Sequence, residues 1–366
     1  MKISKRKYLD YLNPLELLKT KKVLQHNPTI SGLTKTSHSS VLSLFEYTED
    51  EVILNSSVQS SDIVPSLFKS NKNYWLNLDI LNAETIEEIG ISIGLHQLII
   101  EDILSKNQRP KIDEIDNLFT CVLHMLYFNQ ETKSVESEQV SFVLGPNYLI
   151  SFQDDCVRDL FNPIREKLKI AITKVRQQGP DYLLYALLDA IVDHYFTVLD
   201  NLAVQIEKLE EEITRGSAEN YSMNQINDLR KEIMFFRRNA NPVREMINGI
   251  IRSETPLIQE RNTKYFKDIL DHIIQANDLC DTYRDVISNI RDLYLSQMNL
   301  KMNEVMKFLA IVTTILAPAT VIGGIFGMNF DRIPYLHHQN GFWIAGALMI
   351  IIPIIMIFYF RKKNWF

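Results

Sequence analysis

The chain has 366 residues, a formal net charge of −6 and 46% hydrophobic residues. That length allows two or three domains with a core of their own. The negative balance argues against a nucleic-acid partner, which would need a broad basic surface. Cys121, Cys156 and Cys280 are far apart, without zinc spacing, and read as ordinary thiols of a reducing compartment. The first residues, MKISKRKYLDYL, are basic but lack an apolar core segment, so no secretory signal is expected.

Residues 1–40 read as a variable lead, and its Ser/Thr/Gly-rich end, Ser31–Ser40, suits a linker. Residues 41–155 read as a small α+β domain. Val41–Tyr47 and Glu51–Asn55 are expected strands around an acidic turn, and Tyr74–Ile80 alternates like a strand with one buried face. Ala83–Leu95 is an expected helix, with Glu84, Glu87 and Glu88 in its first turns, where the helix dipole favours acids. Leu118–Phe128 and Gln139–Phe152 are expected strands, the second interrupted by the turn Gly145-Pro146-Asn147. The domain has no Gly-rich phosphate loop, nucleophile motif or His cluster, so neither ATP nor a catalytic role is expected, and His96 and His124 read as structural.

Residues 156–261 read as long cytoplasmic helices, with apolar residues at helical spacing in Leu183–Leu187 and Ile191–Leu199. The acids around Glu207–Glu212 and the bases from Arg230 to Arg238 read as solvated faces. Gly216, Ser217 and Asn220 mark a turn between two antiparallel helices, and Pro242 and Pro256 mark kinks or breaks. From about Asn262 one helix is expected to run through a stalk, residues 262–307, into the first membrane span; at 1.5 Å per residue it would extend roughly 90 Å. Asp271, Asp278, Asp285 and Asp292 recur every seven residues along it.

Nearly all the long apolar runs follow Lys307. No charged residue occurs from Phe308 to Phe330, and a membrane helix needs about 20 apolar residues. Residues 308–329 are the first expected span, 330–340 an external loop, 341–360 a second span and 361–366 a basic tail. Arg361, Lys362 and Lys363, with Lys301 and Lys307, place both span ends, and so both termini, in the cytoplasm. His337 and His338 read as exposed loop residues.

Stepping by threes and fours, one face of the long helix carries Gly324, Thr320, Ala317, Thr313, Ala310, Met306, Asn303, Asn299, Ser296 and Asp292. Small residues of this kind either let membrane helices pack closely or line a water-filled pore. Continuation of the stripe beyond the membrane as Asn, Asn, Ser and Asp favours the pore.

Asn303-Glu304-Val305-Met306-Lys307, Pro318, Gly324, Phe326-Gly327-Met328-Asn329-Phe330 and Pro334 together resemble the CorA family of divalent-cation transporters. That family's signature is Gly-Met-Asn at the end of the first of two C-terminal membrane helices. Ile100-Glu101-Asp102-Ile103-Leu104 with Gln108-Arg109-Pro110-Lys111 resembles its cytoplasmic domain, so the likeness covers roughly Tyr74 to Phe366. Two positions depart from the usual pattern: Phe326 replaces a Tyr, and Tyr335 stands where the outer loop usually has an acid, leaving Asp331 as the loop's carboxylate.

The resemblance implies a funnel-shaped homopentamer in the cell membrane, carrying Mg²⁺, and Co²⁺ or Ni²⁺, down the membrane potential. It implies a selectivity filter at Gly327, Met328 and Asn329, and a hydrophobic gate at Met306 and Leu309 above an Asn303 ring. It implies a regulatory Mg²⁺ held between subunits by Asp102 and Asp268, with Glu101 as a helper. A zinc transporter of the same architecture and a membrane-anchored coiled-coil tether are the other readings. Met328 speaks against the first and the polar stripe against the second.

Overall fold

The computed structural model describes residues 41–56, 58–63, 72–79, 81–105, 108–154, 158–215, 223–328, 333–334 and 338–363. The lead (1–40), the turn at Gly216, Ser217 and Asn220, and Cys156, Asn329, Asp331, Tyr335 and His337 lie outside them. The chain forms two compact units: Met1–Leu209 with Gln225–Ile287, and Glu210–Asn224 with Ser288–Phe366.

The first unit holds a seven-stranded sheet: β1 (Val41–Tyr47), β2 (Val52–Asn55), β3 (Asn73–Asp79), β4 (Lys111–Ile115), β5 (Leu118–Asn129), β6 (Ser134–Leu144) and β7 (Tyr148–Gln153). Its order is β2-β1-β3-β7-β6-β5-β4, and all neighbours are antiparallel except β3 and β7. The hairpin of β5 and β6 is the longest pairing, from Phe119 opposite Leu144 to Asn129 opposite Ser134, so β6 begins five residues before the expected Gln139. Tyr74, Leu76 and Leu78 pack into a core with Ile86, Ile89 and Ile99 of helices α1 (Ala83–Ile93) and α2 (Gln97–Leu104). The expectation of one buried face on β3 is incorrect, because Tyr74–Asp79 is buried on both. Trp75 on the other face meets Phe161 edge-on at 6.4 Å, and Asn77 is satisfied by Ser151 and Asp79.

Local signals explain the short helices. Asn82 caps α1 by accepting from the Glu84 N–H at 3.0 Å, and Gly94 ends it at a φ of +76°, a conformation that costs glycine nothing. His96 Nδ1 accepts from the Leu98 N–H at 3.2 Å and so caps α2, the structural role expected of it. His124 is buried in β5.

The helical region opens with two short helices, α3 (Asn162–Lys169) and α4 (Lys174–Gln177), before α5 (Pro180–Thr214) and α6 (Met223–Arg252). Pro242 does not break α6. A proline removes one backbone bond, but here the helix buries Phe236, Ala240, Val243, Met246 and Ile250 along one face. Pro256 lies beyond the helix end. Helix α7 runs from Thr263 to Phe326, 64 residues without interruption. In the first unit it buries Phe266, Ile269, Ile273, Ala276 and Cys280 and leaves Asp271, Asp278 and Asp285 exposed.

The second unit contains the rest of α7 and helix α8 (Gly341–Lys362), which ends in Arg361 and Lys362. A side chain at Gly323 would come within 3.4 Å of Met349, so the two apolar helices touch where α7 is smallest. Both are long and apolar enough to cross a membrane, and α5 also meets that criterion.

Candidate functional site

From Met302 to Ala310 every residue of α7 is exposed, and so are Thr313, Ala317, Thr320 and Gly324. Met306 and Leu309 are 62% and 63% exposed, as lipid-facing or partner-facing groups are in a single chain. The threonines use their protons locally. Thr313 Oγ1 donates to the Leu309 carbonyl, and Thr320 Oγ1 to that of Leu316 at 3.1 Å. Each hydroxyl therefore presents only lone pairs away from the helix, which suits contact with the hydrogens of a cation's water shell. Pro318 has no N–H for the Thr314 carbonyl, and Thr314 Oγ1 itself donates to Ala310 at 2.6 Å.

The last turn of α7 explains Gly327. Its N–H bonds the Gly323 carbonyl at 2.9 Å, and Met328 N–H bonds Ile325 at 3.3 Å. A Cβ on Gly327 would stand 3.0 Å from the Gly323 oxygen. Glycine is needed there for that close approach, since Gly94 is the one described glycine with positive φ. Asn329, the expected ion contact, lies outside the described residues.

The carboxylates expected to hold a regulatory cation are placed differently from one another. Asp102, half-buried on α2, receives Lys111 Nζ at 2.6 Å and Gln108 Nε2 at 3.0 Å. Lys111 also reaches Asp113 at 2.9 Å. Burial alone would lower the Lys111 pKa, but its bonds to Asp102 and Asp113 raise it above the usual range. Asp102 thus has a cation within its own chain, a partner that sequence reading missed. Glu101 is half-buried beside it, and Asp268 is exposed on α7. Among the described residues no hydrogen bond or ion pair joins Asp102 to Asp268 within the chain.

Asp268 instead stands one helical turn from a cluster absent from the sequence reading. Asp189 and Asp193, four apart on α5, face His272 of α7, with one ligand atom of each within 4.8 Å of the others. His272 Nδ1 is 3.5 Å from Asp193 Oδ1 and 3.9 Å from Asp189 Oδ1. Asp189 Oδ1 and His272 Nδ1 are buried without a hydrogen-bond partner among the described residues. Burial raises the Asp189 pKa, and the charges of Asp193 and Asp268 push it further the same way, while His272 and the Tyr185 hydroxyl at 3.3 Å oppose them. Carboxylates crowded in this way, with one imidazole, form a donor set that a divalent cation fits. The spacings Asp189–Asp193 and Asp268–His272 are legible as i, i+4 pairs, but the pairing of α5 with α7 is a tertiary fact.

A family model described as "CorA-like Mg2+ transporter protein" matches residues 70–362. The cobalt/magnesium transport protein CorA of Thermotoga maritima is 38% identical over 292 residues, covering 80% of this chain and 83% of its own length. The putative metal ion transporter YfjQ of Bacillus subtilis is 32% identical over 297 residues, 80% of this chain and 90% of its own. The complete structure of the CorA magnesium transporter from Methanocaldococcus jannaschii superposes with a TM-score of 0.74 at 24% identity, over 92% of this chain and all of that one.

Proposed function

The chain belongs to the CorA-like Mg²⁺ transporter family, and from that membership we propose that it is a homopentameric channel for Mg²⁺, with Co²⁺ and Ni²⁺ as further cargo. Both termini lie in the cytoplasm, by the bases that flank the spans. The observation that carries the reading is the exposed face from Asp292 to Gly324, small or polar at every step but Met306. The relatives named for cobalt and magnesium support the choice of ion.

Mg²⁺ gives up its water reluctantly, so a pore that passes it hydrated is faster than one that strips it. Rings of Asn329 side-chain oxygens, with Gly327 and Met328, accept hydrogen bonds from that water at the outer mouth. Thr320, Thr313 and Asn303 continue the acceptor path, while Met306 and Leu309 close it by dewetting. A membrane potential of 100 mV supplies about 4.6 kcal/mol to a divalent cation, twice the single-charge value, and drives uptake.

Regulation is by cytoplasmic Mg²⁺. Asp268 meets Asp102 and Glu101 of the neighbouring subunit, where a bound cation would displace Lys111 from Asp102, relieve the repulsion among the three carboxylates and favour the closed assembly. Asp189, Asp193 and His272 would hold a second cation beside it.

Mg²⁺ uptake in a strain without Mg²⁺ transport of its own tests the function. The parent restores uptake, and Asn329→Ala abolishes it while still assembling in the membrane. Parental uptake from a well-folded Asn329→Ala protein would refute the filter assignment.

A further inference from the structure

Where β1 ends and α5 and α7 begin, several buried oxygens lack partners. Asp181, in the first turn of α5, is 1% exposed. Its Oδ2 accepts from the Gln259 N–H at 3.0 Å and from Asn262 Nδ2 at 2.8 Å, tying the residues that lead into α7 to the start of α5. Its Oδ1 has no donor among the described residues, and Tyr47 Oη, Asn262 Oδ1 and Thr255 Oγ1 are equally unmatched. Tyr47 and Asn262 are fully buried. Burial first, and then the charge of Asp181, push the Tyr47 hydroxyl far above the usual tyrosine range, which places the two groups within electrostatic reach.

Native interiors rarely leave such atoms unbonded, and a buried carboxylate oxygen is costly without a donor. The chemistry of the unmatched atoms selects the ligand. Asp181 Oδ1 and Asn262 Oδ1 only accept, while the hydroxyls of Tyr47 and Thr255 both give and accept. Water, with two donors and two acceptors, matches that set. Close by, buried Arg176 donates through Nε to the carbonyl of Thr48, next to Tyr47, at 3.1 Å.

We propose that this joint is an internal water site, in which bound water links Asp181 Oδ1 to Tyr47 Oη and Asn262 Oδ1 and so fixes the register of α7 on α5. Polar sites with several such partners are where buried water is retained. The water site is independent of the regulatory role given to Asp189, Asp193 and His272.

Tyr47→Phe in the full-length protein in detergent removes one oxygen and little volume. If that oxygen bonds water, the thermal midpoint falls by about 2 °C or more. If the hydroxyl bonds nothing, its removal leaves the midpoint unchanged or raises it, and the proposal is overturned. A map of the parent that resolves internal waters should show density within hydrogen-bond distance of Asp181 Oδ1. An empty joint in such a map, or a peak held by five or more oxygens at about 2.3–2.6 Å as a cation is, overturns it as well.

Discussion

α5 and the apolar end of α7 are both long and apolar enough to cross a membrane, yet they face opposite surroundings. Of the most apolar stretch in each, 56% is buried inside protein in α5 and 6% in α7. α5 interrupts its apolar run with Asp189, Asp193 and Asp200, and it buries Leu184, Leu188, Val192 and Tyr195 within the first unit. Its Tyr195 hydroxyl donates to the His124 carbonyl of β5 at 2.5 Å. α7 has no charge between Phe308 and Phe326 and leaves Phe308, Leu316 and Val321 at about 60% exposure. Apolar content alone does not separate a core helix from a membrane helix. The spacing of the acids does, because one carboxylate every turn or two suits a helix with one wet face and is costly in lipid.

That contrast breaks most sharply when one charge is placed on each helix. Leu188→Asp in α5 puts an unpaired carboxylate at a site that is 0% exposed. It should cost about 4 kcal/mol or more and leave the first unit unfolded, as read by protease resistance. Leu316→Asp, at a 59% exposed site in α7, should hinder membrane insertion but leave the first unit as protease-resistant as the parent's. Equal loss of resistance in both variants would erase the distinction.

A smaller effect sharpens the packing of α5 against the sheet. Burial lowers the His124 pKa to about 4, from 6.5. The unfolded chain therefore binds the extra proton first as pH falls. His124 contributes its full stability above pH 6.5, and this is lost progressively down to about pH 4, to a total of about 3 kcal/mol. His124→Phe should flatten the melting curve against pH across that window. An unchanged slope would show that His124 is not the group that titrates.

Asp189, Asp193 and His272 bring α5 and the first-unit part of α7 together, and the effect expected of them is smaller again. Removing both α5 carboxylates, with Asp189→Asn and Asp193→Asn, should raise the Mg²⁺ concentration that protects the first unit from protease by several-fold. Asp102→Asn with Asp268→Asn should abolish the protection. Parental protection in the second variant would exclude that pair as the sensor.

Much of this was legible in the sequence. Runs of apolar residues marked β1, β5 and both terminal helices, the acids after Ala83 marked the start of α1, and Gly-Met-Asn after Phe326 pointed to the family. What escaped depends on contacts between distant segments. Lys111 neutralises Asp102 only because β4 starts beside the end of α2, and Asp189 meets His272 only because α5 packs on α7. Of the two roles expected of Pro242, a kink or a break, the break does not occur, because the buried face of α6 outweighs the local backbone cost.

The central claim is that one face of α7 lines the ion path. Single cysteines at Thr313 and at Ile315, two residues apart, lie on opposite faces of the span, while the native Cys121 and Cys280 are buried. Mg²⁺ flux is then measured before and after a positively charged, membrane-impermeant thiol reagent. Flux through Thr313→Cys should be blocked and flux through Ile315→Cys should persist. A conducting Thr313→Cys protein that the reagent does not block, or equal block of both, would contradict the account.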